Sequence, residues 1–343
     1  MKLLKKIAKV LGISLSIILV GCASVPKLSK AEKEIISEVV KTPIPEIIQG
    51  ETGFANSGKH QIWFESIRPK IENKGAVVLI MGNGNDALTW PPQFISSLVG
   101  NGYQVIRYDH RGTGLSISEE KWKKKKAYSL NDMAGDIISI LDVLKIKKAH
   151  IVGISMGGMI GQIVAIENPE RTISLTSIMS SGDPMDPTLP QMSNEIVPEM
   201  ISAIFKHGFF GGKKGQVQRQ IIQKRILMGK ATGEIDIRTM AQTSLYNLKK
   251  REGYKLMSAR HHYNAILNSS SRYVQLSQIK IPTLIIHGRE DPVIPILHSE
   301  KLAKIIPNAE TLWVNNMGHD LPDGKIIEIT KMMLLNFERA SSE

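Results

Sequence analysis

The stretch from His150 to Gly158 constrains this chain more than any other. An apolar run ends in Gly153-Ile154-Ser155-Met156-Gly157-Gly158 and passes into a segment free of proline until Pro169. A strand buried on both faces, a sharp turn and a buried helix satisfy that pattern. Glycines flank the serine because neighbouring strands and helices crowd so strained a turn. A serine at that point presents its Oγ above the end of a sheet.

The remaining elements repeat the alternation. Residues 60–67 are rich in β-formers, and Ala76 to Met81 is a continuous apolar run, so both read as strands. A helix is expected from Pro91 to about Val99, ended by Gly100-Asn101-Gly102, and a strand from Gln104 to Asp109. Ser129 can cap a helix running to about Lys145, with Met133, Ile137, Ile140, Leu141 and Leu144 on one face. Strands are expected again at 150–155 and 173–179, around a helix from Met156 to about Asn168. After a break, strands are expected at 283–287 and 311–315, a helix at 296–305, and a C-terminal helix from about Gly324. Alternating buried strands and helices imply an α/β class with a mostly parallel sheet covered on both faces. Between Asp183 and Gln278 the pattern is helical with few strand signals, so 183–278 reads as a helical insertion capping a core formed by 44–182 and 279–343.

Composition excludes other classes. The chain has 343 residues, 42% hydrophobic and 22% charged, near the globular average. One cysteine rules out an intramolecular disulfide, a Cys-rich zinc site and a Cys-ligated iron–sulfur cluster. The charge of +12 invites a nucleic-acid reading. The basic residues are scattered, however, and no reading motif is present. The short run Lys123 to Lys126 reads as a solvated loop.

That cysteine sits at the end of a leader. Four lysines without an acid precede an apolar run from Val10 to Val20, too short for a relaxed membrane span. Leu19-Val20-Gly21-Cys22 resembles the bacterial lipobox. The resemblance implies a signal peptide over 1–21, lipidation of Cys22, and a protein lipid-anchored in the bacterial cell envelope. Ala23, where an inner-membrane retention signal would carry Asp, favours the outer membrane in a cell that has one; otherwise the outer face of the plasma membrane is expected. Loss of the leader removes four lysines and leaves +8. Residues 22–43, polar and mixed in charge, read as a tether.

The chemistry falls in loops at strand ends. Ser155 needs a base within hydrogen-bond reach. His319, in Met317-Gly318-His319-Asp320, follows the last strand. The base needs a carboxylate to set its tautomer. Asp291, in Gly288-Arg289-Glu290-Asp291-Pro292, follows the preceding strand, with Asp183 as the reserve acid. His110 and His287 also adjoin strand ends, but neither holds the last-strand position. An oxyanion needs backbone N–H donors. Met156 N–H, next after the serine, and Asn83 N–H, in Met81-Gly82-Asn83-Gly84, are the candidates.

These motifs, with Tyr108-Asp109-His110-Arg111-Gly112-Thr113-Gly114, make residues 50–340 resemble the α/β-hydrolase family. Members usually carry His-Gly where this chain has Met81-Gly82, a change that touches loop support more than the backbone donor. Serine at the turn, rather than aspartate, argues against epoxide hydrolases and haloalkane dehalogenases. The resemblance implies hydrolysis of carboxylic esters through Ser155, His319 and Asp291, by a carboxylesterase or lipase needing no metal or organic cofactor. A lactonase, thioesterase, C–C hydrolase, aminopeptidase or non-catalytic binding member shares the fold. The implied partner is a small-molecule ester with an apolar group, for which Met185, Met192, Met200, Phe205, Phe209, Phe210 and Met228 of the cap offer a surface; most of them suit the cap's own core better.

Overall fold

The computed structural model describes residues 25–118, 128–207, 211–231, 233–251 and 256–341. The leader, Cys22, the Lys123–Lys126 run, Phe209 and Phe210 lie outside the described residues.

Among the described residues nine strands form one sheet: β1 (Glu51–Ser57), β2 (His60–Ile67), β3 (Gly75–Ile80), β4 (Tyr103–Tyr108), β5 (Ile117–Ser118), β6 (Ala149–Ile154), β7 (Thr172–Ile178), β8 (Thr283–Gly288) and β9 (Glu310–Val314). Their order is β1-β2-β4-β3-β6-β7-β8-β9, with β5 against β2. From β4 through β9 every pairing is parallel, and β1, β2 and β5 add antiparallel pairs at one edge.

Side chains leave each strand alternately to the two faces, so the parallel strands feed two cores. Val78, Ile80, Ile106 and Ile151 pack on one face against α3 (Leu130–Val143) and α4 (Met156–Glu167). Val77, Leu79, Val105 and Val152 pack on the other against α2 (Pro92–Gly100) and α11 (Ile326–Ser341). Helix α3 begins where expected, with a reciprocal capping box in which Ser129 Oγ accepts Asp132 N–H at 3.1 Å and Asp132 Oδ2 accepts Ser129 N–H at 2.7 Å. β1 was not expected. Its Glu-Thr-Gly-Phe-Ala-Asn-Ser sequence is mostly exposed, and pairing with β2 holds it.

Between β7 and β8 the chain leaves the sheet and forms α5 (Ile196–His207), α6 (Gly212–Met228), α7 (Ile237–Lys250), α8 (Leu256–Leu267) and the short α9 (Tyr273–Leu276). Helix α10 (Leu297–Ile305) then lies between β8 and β9. Ile196, Val217, Ile221, Ile226 and Leu245 give the inserted helices a core of their own, against which Met192 and Met200 pack. Met185 and Phe205 are about half exposed.

The expectation of a tether is corrected for its described part. Residues 30–41 form a helix, α1 (Lys30–Lys41), closed by a Ser29–Glu32 capping box. Its Ile36 and Val39, with Leu28, are buried in the cap's core. Glu38 meets Arg238 through two hydrogen bonds of 2.9 and 2.8 Å, and Glu32 pairs with Arg225. The charged composition concealed this helix. Its apolar positions are few, and the surface that covers them comes from α6 and α7, far along the chain.

Candidate active site

Ser155 sits between β6 and α4 at φ 56° and ψ −118°, a left-handed backbone that costs a residue with a Cβ about 1–3 kcal/mol. Its surroundings hold it there. Ser155 N–H donates to Ile178 O at 2.9 Å, and Ser180 Oγ donates to Ser155 O at 2.7 Å. The flanking glycines are steric necessities: a Cβ on Gly153 would lie 2.1 Å from Gly157 O, and one on Gly157 would lie 2.1 Å from Ile80 O. The helix therefore starts hard against β3, and the turn lifts Ser155 Oγ away from the sheet.

The structure brings Ser155, His319 and Asp291 together. His319 Nδ1 lies 2.7 Å from Asp291 Oδ2, and His319 Nε2 lies 2.9 Å from Ser155 Oγ. The carboxylate only accepts, so Nδ1 carries the hydrogen and Nε2 is left to accept the serine hydroxyl. Burial raises the proton affinity of Asp291. His319 and His287 beside it outweigh burial and hold its carboxyl well below the ordinary range. It also accepts Val293 N–H at 2.8 Å and Ile294 N–H at 2.9 Å through Oδ1. Asp183, the reserve acid, accepts Met185 N–H at 3.0 Å; among the described residues no bond joins it to His319.

Two contacts were not assigned from sequence. His287 Nε2–H points between Ile294 O at 2.8 Å and Asp291 Oδ2 at 3.2 Å, so a second histidine meets the acid. The signal was its place four residues before Asp291, across the Gly288 turn. His319 N–H donates to Leu227 O at 2.8 Å, at the end of cap helix α6. Gly318 permits this approach, since a Cβ there would lie 2.3 Å from Met228 O.

The two candidate oxyanion donors flank the serine. Met156 N–H opens α4 and has no intrahelical acceptor. Gly82 packs against Ser155, with a Cβ built on it falling 3.9 Å from Ser155 Oγ. Asn83 follows directly, and Asn85 N–H to Gly82 O at 3.3 Å closes the turn around it. Arg111 makes a bidentate pair with buried Asp136 at 2.8 and 2.7 Å, which secures the loop after β4. The arrangement can deprotonate a serine, hold the resulting imidazolium, and offer N–H donors to a developing negative charge.

The family model of the alpha/beta hydrolase fold matches residues 75–325. Rhodomycin D methylesterase DnrP of Streptomyces peucetius is 28% identical over 285 residues, 76% of this chain and 89% of that protein. Among solved structures, a meta-cleavage product hydrolase from Pseudomonas fluorescens IP01 superposes with a TM-score of 0.58 at 21% identity, covering 86% of this chain and 100% of that one. The enol-lactonase from Burkholderia xenovorans LB400 does so at 0.55 and 19% identity, covering 85% of this chain and 100% of that one. The likeness to these two solved structures, at 21% and 19% identity, bears on the fold alone. With the sheet order, the strained serine turn and a family match across most of the chain, the conclusion is that this protein belongs to the α/β-hydrolase fold family.

Proposed function

We propose that the protein is a serine hydrolase that cleaves carboxylic esters through an acyl-enzyme. The observation that carries this reading is the hydrogen-bonded chain Ser155–His319–Asp291 at a strained strand-to-helix turn. His319 takes the hydroxyl proton as Ser155 attacks the ester carbonyl. Met156 N–H and Asn83 N–H receive the oxyanion, and the imidazolium returns the proton to the departing alcohol. Water, deprotonated by the same histidine, then releases the acid. The methylesterase among the relatives supports an ester as the substrate class.

A panel of p-nitrophenyl esters of increasing acyl length, with a lactone, a thioester and a peptide anilide, tests the substrate class. The expected result is kcat/KM for at least one ester exceeding that for every other class by 10-fold or more. A lactone, thioester or anilide turned over faster than all esters would replace the reading.

The anchoring of the protein at the membrane belongs to the same proposal. Cys22 is read as the acylated first residue of the mature chain, and two or more acyl chains hold a protein stably at a bilayer where one does not. Helix α1 follows shortly after and is docked on the cap, so the anchor would keep the enzyme close to the membrane. Mass spectrometry of the mature N-terminus is expected to find a blocked, diacylglyceryl-modified Cys22. An unmodified thiol at Cys22, or cleavage elsewhere, would contradict it.

A further inference from the structure

Three of the hydrogen bonds that hold the loop carrying Asn83 come from side chains outside it, two of them from the cap. His110 Nε2–H donates to Met81 O at 2.7 Å, from the loop after β4. Asn247 Nδ2 of α7 donates to Asp86 Oδ1 at 3.3 Å. Between them, Gly84 N–H donates to Nδ1 of His262, in α8, at 3.0 Å. His262 Nε2–H in turn donates to Arg111 O at 3.1 Å, so the ring bridges the loops that follow the neighbouring strands β3 and β4. It is fully buried, with its centroid 5.4 Å from that of His110 and 5.9 Å from that of Tyr128.

The bond to Gly84 sets the orientation of a peptide plane. Gly84 sits at φ +72°, where glycine turns freely in either direction, so its own backbone does not fix the loop. A ring that accepts its N–H does so, and Asn83, the residue before it, inherits the constraint. We propose that His262 is a positioning residue for the oxyanion site: by accepting Gly84 N–H, this cap-borne imidazole holds Asn83 N–H toward the oxygen of the carbonyl attacked by Ser155. The role rests on the ester-hydrolase reading above. Burial pushes His262 down to about 3, helped by His110 nearby, so the ring stays neutral and keeps Nδ1 as an acceptor through the working range of a hydrolase. The cap then does more than cover the site, because part of its chemistry depends on a residue that reaches in from α8.

The test compares the parent, Ser155→Ala, His262→Phe, His262→Gln and His262→Asn, with a p-nitrophenyl ester and a trifluoromethyl ketone whose tetrahedral adduct needs the same donors. Phe keeps the volume without an acceptor, Gln keeps a donor at the ring tip, and Asn offers an oxygen where Nδ1 stands. His262→Phe and His262→Gln are expected to lose about 10- to 100-fold in kcat, less than outright removal of an oxyanion donor. KM should change little, affinity for the ketone should fall in step with kcat/KM, and His262→Asn should recover most of both. Parent-like kcat in His262→Phe, losses confined to KM, or an Asn variant no better than Phe would overturn the role. So would unfolding of all three variants, which would make the residue structural. A parent that hydrolyses no ester would instead overturn the reading beneath it.

Discussion

Ser155→Ala is expected to abolish ester turnover, by on the order of 10⁶-fold in kcat, because the proposed mechanism passes through a covalent bond that alanine cannot form. Among the described residues one side-chain hydrogen bond is lost, that from Ser155 Oγ to His319 Nε2. The strained backbone at φ 56° remains, since it is held by Ser155 N–H on Ile178 O and by Ser180 Oγ on the Ser155 carbonyl, and alanine keeps those backbone groups. Stability should therefore change by no more than about 1 kcal/mol, the worth of a single hydrogen bond. Thermal unfolding and steady-state kinetics on the same preparation separate the two effects. A purified variant that folds like the parent and keeps more than about one part in 10³ of its turnover would refute a Ser155 nucleophile.

Asp291→Asn should cost nearly as much, by a different route. Val293 N–H and Ile294 N–H claim one oxygen of the present carboxylate. An asparagine would give its oxygen to those two donors and turn its NH₂ toward His319 Nδ1 and His287 Nε2. His319 Nδ1 must then accept, which moves the ring hydrogen to Nε2, facing Ser155 Oγ, and leaves no base. A fall of about 10⁴-fold in kcat is expected, as for a triad locked in the wrong tautomer. The variant also removes a stabilising charge. Asp291 is held below the ordinary carboxylate range when folded, so its contribution is present above the unfolded value of about 4 and is lost as pH falls through the lowered folded value. The difference in Tm between parent and Asp291→Asn should thus be widest near neutral pH and shrink on acidification below about 4. If instead Asp291→Asn stays within 10-fold of the parent while Asp183→Asn does not, the acid has been misassigned.

Much of this was legible in the sequence for a physical reason. Parallel strands buried on both faces must be apolar throughout, so β3, β6 and β8 stand out as continuous runs. A serine between crowded glycines has few alternatives to a strand-to-helix turn, and Asp291 and His319 follow from their places after the last two strands. What stayed hidden depends on partners distant in the chain. The short edge strand β1 buries little, and α1 shows only a few apolar residues until α6 and α7 cover them. The bonds from His319 N–H to Leu227 O and from Gly84 N–H to His262 Nδ1 join the core to the cap across 92 and 178 positions, and no local pattern announces such a contact. The usual histidine of the loop after β3 is replaced by Met81, and sequence alone could not show that His110 and His262 support that loop from elsewhere.

The central claim, that Ser155 is the nucleophile of a serine hydrolase, is tested most directly by locating a covalent adduct. The purified protein is treated with a fluorophosphonate, digested, and the modified peptide identified by mass spectrometry. A single stoichiometric adduct on Ser155 is expected, slowed at least 100-fold by His319→Ala and absent from Ser155→Ala. An adduct on another residue such as Ser180, or ester turnover undiminished by a reagent that leaves Ser155 unmodified, would contradict it.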